Sequence, residues 1–321
     1  MRACFVLAFV TALGFSAEPT RDVHVVVATD GTGDFQTVQS AVDHALDRGP
    51  LQPKRRLVIE VRPGAYHERV MIPQDRPRVT LLGSDAGKTI ITFNAAAKDV
   101  GGTFFSSTVD VEGTEFEAAG ITFENSYGLG TQAVAITVHS DRAVFRKCRF
   151  VGWQDTLYAA SGRQYFRDCF IEGHVDFIFG NAAAVFEDCE IRSRGDGWIA
   201  AQSRLTPAST TGYVFIHCKL TGEKTKEGVY LGRPWRDYSR VVFINCYLGE
   251  HIRPGGWSDW NNTGRSKTAW YGEYGSSGPG ANDQGRVRWA HQLSQEQVRE
   301  FQPDVFLGGR DGWQPSKSSM P

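Results

Sequence analysis

The two segments WQDTL (residues 153–157) and VDFIFG (residues 175–180) decide how this chain folds. Each places one aspartate among apolar and aromatic residues, and Asp155 and Asp176 are separated by 21 positions. A repeat of about 20 residues is typical of a solenoid, in which equivalent positions of successive coils lie side by side. If each coil adds a strand to a parallel sheet, stacked neighbours are about 4.8 Å apart. The spacing therefore predicts that the two carboxylates share one groove.

The same period recurs on both sides of these segments. Gln132 precedes Gln154 by 22 positions. Six segments share an aromatic residue, a small residue three positions later and an apolar residue two further on: 116–125, 144–150, 165–171, 185–191, 213–220 and 241–248. Because the copies are joined by polar and glycine-rich stretches, we predict an all-β, single-domain parallel β-helix of about six coils.

The cysteines follow the same repeat. Of the six cysteines, Cys4 lies in the N-terminal apolar run, and each of the other five lies three residues after a phenylalanine: Cys148, Cys169, Cys189, Cys218 and Cys246. An odd number at repeat spacing argues against a full disulfide framework, so we expect an inward-facing ladder of small, buried side chains. Oxidation of one stacked pair stays open, because neighbouring coils lie within disulfide reach.

The N-terminus has the composition of an export signal. Met1-Arg2 precedes the apolar run 3–15, and small residues occupy the positions that determine cleavage. We assign residues 1–17 to a signal peptide and residues 18–321 to the β-helix domain, and expect a secreted protein. No second segment is apolar over a membrane-spanning length. The net charge of −1 gives no polybasic surface for nucleic acid or anionic membrane. We also expect the protein to be a monomer.

Short helices are predicted to cover both ends of the solenoid. Residues 34–46 carry apolar side chains at helical spacing, with Asp34 as the N-cap. Ser294 opens a capping box for a helix that runs to about Phe301. Residues 253–285, rich in Gly, Trp, Tyr and Asn, are predicted to form a long irregular excursion.

The paired aspartates and nearby amides indicate ester hydrolysis. Two adjacent carboxylates do not both ionise readily, so one acts as an acid and the other as a nucleophile or base. Gln132 and Gln154 offer amide donors for a developing oxyanion. Arg233 is a candidate to keep one aspartate ionised. We therefore predict that Asp176 attacks an ester carbonyl, while Asp155 protonates the leaving alcohol and then activates water. The alternative is that these aspartates only cap turns between coils.

Five ordered segments resemble the pectin methylesterase family, in a similarity that covers residues 30–308. They are GAYHE (64–68), QAVA (132–135), QDTL (154–157), VDFIFG (175–180) and LGRPW (231–235). The resemblance implies a right-handed parallel β-helix that removes the C6 methyl ester of homogalacturonan (pectin) and releases methanol. No stretch resembles the inhibitor-like pro-region that many plant members carry.

The resemblance also implies roles for individual residues. Asp176 matches the nucleophile and Asp155 the proton donor. The two glutamines match the groups that stabilise the tetrahedral intermediate, and Arg233 and Trp235 match substrate contacts. Thr103 matches a sugar-binding position with an offset of one residue.

Aromatic side chains are further candidates for binding sugar rings. Trp235 and Phe179 are favoured because their motifs carry Arg233 and Asp176, whereas Trp198 and Tyr158 are weaker candidates. For each ring the alternative is core packing. We therefore list Thr103, Gln132, Phe179, Arg233 and Trp235 as substrate-binding residues.

Other functions stay open at this point. A glycoside hydrolase on the same fold also uses paired carboxylates, but it does not need the two glutamines. A pectate lyase needs a calcium-binding acid cluster, and a silent carbohydrate-binding β-helix has no need for Asp155, Asp176 and Arg233 together. No Gly-x-Ser-x-Gly elbow occurs, and the eight histidines lack metal-ligand spacing. We therefore predict no cofactor and no metal.

Overall fold

The computed structural model describes residues 22–45 and 55–318. The predicted signal peptide at 1–17 lies outside the described residues, as does the last residue of the predicted helix 34–46. Among the helices that are described, none combines the length and apolar character that crossing a bilayer requires.

The chain folds into the predicted right-handed parallel β-helix with short helices near both ends. The strands are β1 (Val23–Val27), β2 (Leu57–Val61), β3 (Gly64–His67), β4 (Val70–Ile72), β5 (Val79–Gly83), β6 (Thr89–Phe93), β7 (Val109–Val111), β8 (Glu117–Ala119), β9 (Thr122–Asn125), β10 (Ile136–Val138), β11 (Ala143–Arg146), β12 (Arg149–Val151), β13 (Leu157–Ala159), β14 (Arg163–Arg167), β15 (Phe170–Gly180), β16 (Ala183–Glu187), β17 (Glu190–Gln202), β18 (Gly212–Ile216), β19 (Lys219–Gly222), β20 (Val229–Gly232), β21 (Arg240–Ile244), β22 (Tyr247–Leu248), β23 (Trp270–Tyr274) and β24 (His291–Gln292). The α-helices are α1 (Val38–His44), α2 (Ala97–Val100), α3 (Gln295–Val298) and α4 (Pro303–Phe306).

The strands form three faces around one core. The first face is an eleven-stranded sheet that runs from β1 to β24. The second runs from β3 through β12 to β22, and the third from β4 through β13 to β20. Strands β15 and β17 are long enough to bend across the corner, so they join the second and third faces into one hydrogen-bonded sheet. The candidate site lies on this third face.

A ladder of stacked phenylalanines fills the core behind the first face. Rings on successive coils have centroids 4.3 to 4.8 Å apart and lie within 13° of parallel: Phe145, Phe166, Phe186, Phe215 and Phe243. The first copy of the predicted repeat is out of register. Phe145 pairs with Ala118, not with Phe116, so the prediction for the coil at 116–125 was wrong by two residues.

The cysteine ladder is confirmed. All five cysteines among the described residues are buried and free, and four of them direct the thiol at the carbonyl oxygen of a phenylalanine on the preceding coil. The Cys169 thiol, for example, lies 3.6 Å from the carbonyl oxygen of Phe145. The thiols therefore pack as small core residues, and no stacked pair of them is joined.

The end helices are confirmed with one correction. Helix α1 begins after Thr37, whose hydroxyl accepts the Ser40 N–H, whereas the Asp34 carboxylate accepts the Val26 N–H at 2.9 Å. The N-cap prediction of Asp34 was therefore wrong. The capping box of Ser294 is present at the start of α3. Residues 253–285 are less irregular than predicted, because they contain β23.

Candidate active site

All eight predicted site residues line one cavity of about 340 Å³ on the third face. They are Thr103, Gln132, Gln154, Asp155, Asp176, Phe179, Arg233 and Trp235. Phe104, Ala201 and Trp260 complete the lining and were not predicted. The residues come from segments between positions 103 and 260, and the coil stacking brings them together.

Strand register places the two aspartates on adjacent coils. Leu157 pairs with Ile178 at the junction of β13 and β15, and the Asp155 N–H donates to the Val175 carbonyl at 3.0 Å. Gln132 forms an isolated parallel bridge with Gln154 one coil further along. Residues 21 or 22 positions apart in the sequence therefore stack on adjacent coils, as predicted.

A β-bulge turns Asp176 out of the core. Between Val175 and Ile178 strand β15 has one residue more than β17 has between the partners of these two residues. Phe177 and Ile178 both point into the core as a result, and Asp176 adopts a left-handed conformation with φ of 51°. Asp155 has the same conformation, with φ of 65°. Bulges and left-handed residues next to active sites commonly redirect a side chain in this way.

The bulge requires a glycine on the same strand. A Cβ on Gly173 would lie 2.1 Å from the Cβ of Phe177, which occupies that space. Any larger residue at position 173 would displace the ring that fills the core beneath Asp176.

Arg233 holds Asp176 and is itself clamped. Its Nε and Nη2 donate to the two carboxylate oxygens of Asp176 at 2.8 and 2.6 Å, a bidentate ion pair that is nearly buried. The guanidinium carbon lies 3.7 Å from the ring centre of Trp198 and 4.0 Å from that of Trp260. Trp198 is not part of the cavity lining; it packs against Arg233 and stacks on Tyr230, which agrees with the packing alternative for this ring.

The two carboxylates differ in their surroundings. Asp155 is 9% exposed and Asp176 is 6% exposed. Burial, and after it the negative charge of Asp176, raises the pKa of Asp155 well above its usual range. Burial also raises the pKa of Asp176, but the hydrogen bonds and charge of Arg233 oppose that rise. Asp155 has no such hydrogen bond, so it is the carboxyl that retains a proton more readily.

A row of aromatic side chains includes Phe104, Phe179 and Trp235 from the cavity lining and Tyr158, which is not part of that lining. Tyr158 stacks on Phe179 with ring centres 4.6 Å apart, Phe104 lies 5.1 Å from Tyr158, and Trp235 lies 5.9 Å from Phe179. Phe104 is 52% exposed, which is unusual for so large an apolar side chain. The adjacent pair Phe104-Phe105 beside Thr103 was the sequence signal for this part of the wall. Trp260 had no comparable signal, because it lies in the irregular excursion.

Within residues 22–45 and 55–318, no group of three His, Cys, Asp or Glu side chains is placed to hold a metal ion. The groups available for chemistry in the cavity are the two carboxylates, the two glutamine amides and the guanidinium.

A right-handed parallel β-helix with stacked carboxylates, amides and an arginine in one outward cavity defines a β-helical ester hydrolase. The family model for pectinesterases matches residues 24–310, so the chain belongs to the pectinesterase family and is a carboxylic ester hydrolase. Pectinesterase 31 of Arabidopsis thaliana is 42% identical over 294 residues, which cover 88% of this chain and 92% of that protein. The membership decides against the glycoside hydrolase and the pectate lyase.

Solved structures agree with the family. The pectin methylesterase from carrot is 36% identical, covers 98% of both chains and superposes with a TM-score of 0.85. A pectin methylesterase in complex with a hexasaccharide is 29% identical, covers 92% of this chain and 98% of its own, and gives a TM-score of 0.76. Some relatives are longer: a tomato pectinesterase/pectinesterase inhibitor is 39% identical, and the chain spans 51% of its length.

Proposed function

We propose that the cavity hydrolyses the C6 methyl esters of homogalacturonan to pectate and methanol, with Asp176 as nucleophile and Asp155 as general acid and base. The observation that carries this assignment is that two stacked, buried carboxylates have different electrostatic surroundings. Arg233 binds both oxygens of Asp176 and favours its ionised form, whereas burial and the neighbouring charge favour the protonated form of Asp155.

The first half-reaction forms an acyl-enzyme. A carboxylate oxygen of Asp176 bonds to the ester carbonyl carbon, and the carbonyl electron pair moves onto oxygen. The amides of Gln132 and Gln154, which line the cavity, donate to this oxyanion. When the oxyanion collapses, the bond to methoxide breaks, and the leaving group takes the proton of Asp155 to depart as methanol.

The second half-reaction returns the enzyme to its starting state. Asp155, now ionised, removes a proton from water, and the water oxygen attacks the acyl carbon of the anhydride. The bond from that carbon to Asp176 breaks, so Asp176 regains its charge, and the product forms as a galacturonic acid that releases its own proton to solvent and leaves as the carboxylate. Asp155 keeps the proton for the next cycle.

Substrate binding is assigned to the aromatic row and to the polar wall. Phe179 and Trp235 offer apolar surface to the C–H faces of sugar rings, and Arg233 and Thr103 offer polar contacts. A similar structure that holds a hexasaccharide supports an oligosaccharide as the ligand.

Methanol and acid release from highly methyl-esterified pectin test the proposal. We expect equimolar methanol and carboxylate with no shortening of the polysaccharide. New reducing ends or unsaturated products without methanol would overturn it.

Export and oligomeric state belong to the same proposal. We propose that the signal peptide at 1–17 directs the chain out of the cell, where its substrate lies, and that it acts as a monomer. Intact mass of the exported protein and light scattering test these two statements: retention of residues 1–17, or a dimer mass, would contradict them.

A further inference from the structure

A second cavity of about 410 Å³ lies where loops connect the third face to the first. Its wall includes Arg204, which follows β17, and Tyr238 and Arg240, which lie around the start of β21. Its volume falls within the roughly 300–1,000 Å³ that is typical of small-molecule sites. The proposed chemistry uses none of these residues.

Two half-buried guanidinium groups face this cavity without an acidic partner in contact. Arg240 donates to the carbonyl oxygens of Thr211 at 3.1 Å and Thr210 at 2.7 Å. Arg204 donates to the carbonyl oxygens of Thr206 and Pro207. In the described part of the chain, the hydrogen bonds of both guanidinium groups go to backbone carbonyls and not to a carboxylate. Backbone carbonyls satisfy part of each donor set but do not neutralise the charge.

The electrostatics of the cavity are unbalanced toward positive charge. Burial lowers the pKa of both arginines, and the charge of Arg204 contributes to lowering the pKa of Arg240 to about 10. An arginine side chain keeps its proton in proteins, so both groups carry a positive charge. Glu300, an exposed residue on the rim, supplies one negative charge against these two positive charges. An anion that enters the cavity meets a net attractive field.

The remaining walls suit a sugar acid better than a small inorganic anion. Trp270 and Phe301 form an apolar wall, with ring centres 5.6 Å apart. Tyr238 and Gln297 offer polar groups to hydroxyls. A cavity with an apolar wall, a few polar groups and two guanidinium groups matches a pyranose ring that carries a carboxylate.

One buried residue, Gln202, is hydrogen-bonded to residues of both cavities. The side-chain oxygen of Gln202 accepts the backbone N–H groups of Arg204 and Arg240 at 2.9 and 3.0 Å. The backbone carbonyl of the same residue accepts the N–H of Trp235, which lines the catalytic cavity, at 3.1 Å. Gln202 therefore connects the backbone of the second cavity to the Trp235 wall of the catalytic cavity.

We propose that the second cavity, around Arg204 and Arg240, binds the free carboxylate of a de-esterified galacturonate residue of the pectin chain. The inference rests on the proposed function, because that reaction creates the carboxylate. A methyl ester is neutral and gains nothing from the two guanidinium groups, so the site selects stretches that have already been hydrolysed.

Two substitutions with opposite expected effects test the site. Calorimetric titration with trigalacturonate at low salt should show about 5–20-fold weaker binding for Arg204→Gln, which removes a charged hydrogen-bond donor. Glu300→Gln removes the negative charge on the rim and should tighten binding about 2–5-fold. Glu296→Gln lies in α3, directly before the 3₁₀ turn Arg299–Phe301 that carries Glu300, and outside the cavity lining; it is the control and should leave the dissociation constant unchanged.

The opposite signs separate binding from folding. If the two arginines only hold the loop at 204–211, Arg204→Gln lowers the melting temperature, Glu300→Gln leaves binding unchanged, and the proposal is wrong. An equal loss of affinity on Arg204→Gln for the fully methyl-esterified trisaccharide, titrated in the Asp176→Asn background where it is not hydrolysed, would also overturn it, as would full displacement of trigalacturonate by an equal concentration of inorganic phosphate. Methanol release from that esterified trisaccharide reports the proposed function separately, and we expect it to be the same for Glu300→Gln and wild type.

Discussion

Two edges of the β-helix carry stacked aspartates on adjacent coils, but their surroundings differ. Asp168 and Asp188 lie at the turn between the first and second faces, 20 positions apart, with φ of 53° and 54°. Asp155 and Asp176 lie at the edge of the third face, 21 positions apart, with φ of 65° and 51°. The backbone conformation is therefore almost the same in the two pairs.

The two pairs differ in burial and in their cation. The side chains of Asp168 and Asp188 are 47% and 39% exposed, and Arg167 lies 3.7 and 3.8 Å from them. Solvent screens such contacts, so they contribute little. Asp155 and Asp176 are buried, and Arg233 contacts only Asp176 at hydrogen-bonding distance. Stacking alone places equivalent side chains next to each other. The two carboxylates become chemically different because they are buried and because Arg233 hydrogen-bonds only Asp176.

The largest expected effect is from removal of the nucleophile. Asp176→Asn removes the charge that attacks the ester, so methanol release should fall by about 10⁴-fold or more. Asp188→Asn, the matched change at the exposed edge, should retain wild-type activity. Near-native activity of a folded Asp176→Asn protein, checked by its melting temperature, would remove the basis of the comparison.

Loss of the proton donor should cost less. Asp155→Asn leaves the nucleophile and the amides in place, so the rate should fall by the roughly 10²–10⁴-fold that general acid–base catalysis supplies. Asp168→Asn is the control. Equal losses from the two controls and the two active-site variants would mean that the edges are equivalent, contrary to this account.

Arg233 should set the acid side of the pH profile. Its hydrogen bonds lower the pKa of Asp176 against the rise caused by burial. Arg233→Ala therefore raises that pKa further, so Asp176 ionises at higher pH and the acid limb of kcat/KM moves to higher pH. Activity at the optimum should fall about 10–150-fold because a charge-assisted contact is lost. An acid limb that stays in place would show that Asp176 does not govern it. Because Asp155 and Asp176 titrate as a coupled pair, the apparent pKa values of the acid and basic limbs of kcat/KM describe the pair and not either residue alone.

The smallest expected effect concerns the support beneath Arg233. Trp198→Leu removes one face of the clamp, and a cation–π contact is worth about 0.5–2 kcal/mol, or about 2–30-fold in kcat. The rescue variant Trp198→Phe should recover part of the loss. Phe170→Leu removes a similar stack, with Arg149 at 4.1 Å, on the second face and is the control. A loss of stability without a change in kcat would make Trp198 a packing residue.

The sequence predicted the coils and the four stacked residues of the cavity because both follow from a fixed spacing, whereas Thr103, Phe179, Arg233 and Trp235 were predicted from their motifs and the family resemblance. Asp155, Asp176, Gln132 and Gln154 recur at the coil length, so parallel stacking alone brings them together. The register at 116–125 was missed because Ala118, not an aromatic residue, occupies the ladder position there.

Features that depend on local geometry were not predictable. The extra residue at Asp176 is visible only when β15 is aligned with β17. The sequence left open whether Trp198 contacts sugar or packs; its ring lies against the guanidinium of Arg233, which follows β20 on the next coil. Trp260 enters the site from a short 3₁₀ segment with left-handed residues, where no periodic pattern marks the direction of a side chain.

The protonation of the aspartates tests the central claim most directly. Carbon-13 labelling of aspartate carboxyl groups allows each to be followed by NMR as the pH rises. We predict one carboxyl signal whose pKa lies well above the usual range of aspartate. This signal should be absent from Asp155→Asn and present in Asp168→Asn. If every aspartate signal of the wild-type protein titrates in the usual range, and Asp155→Asn removes no late-titrating signal, burial does not distinguish the two edges and the account is contradicted.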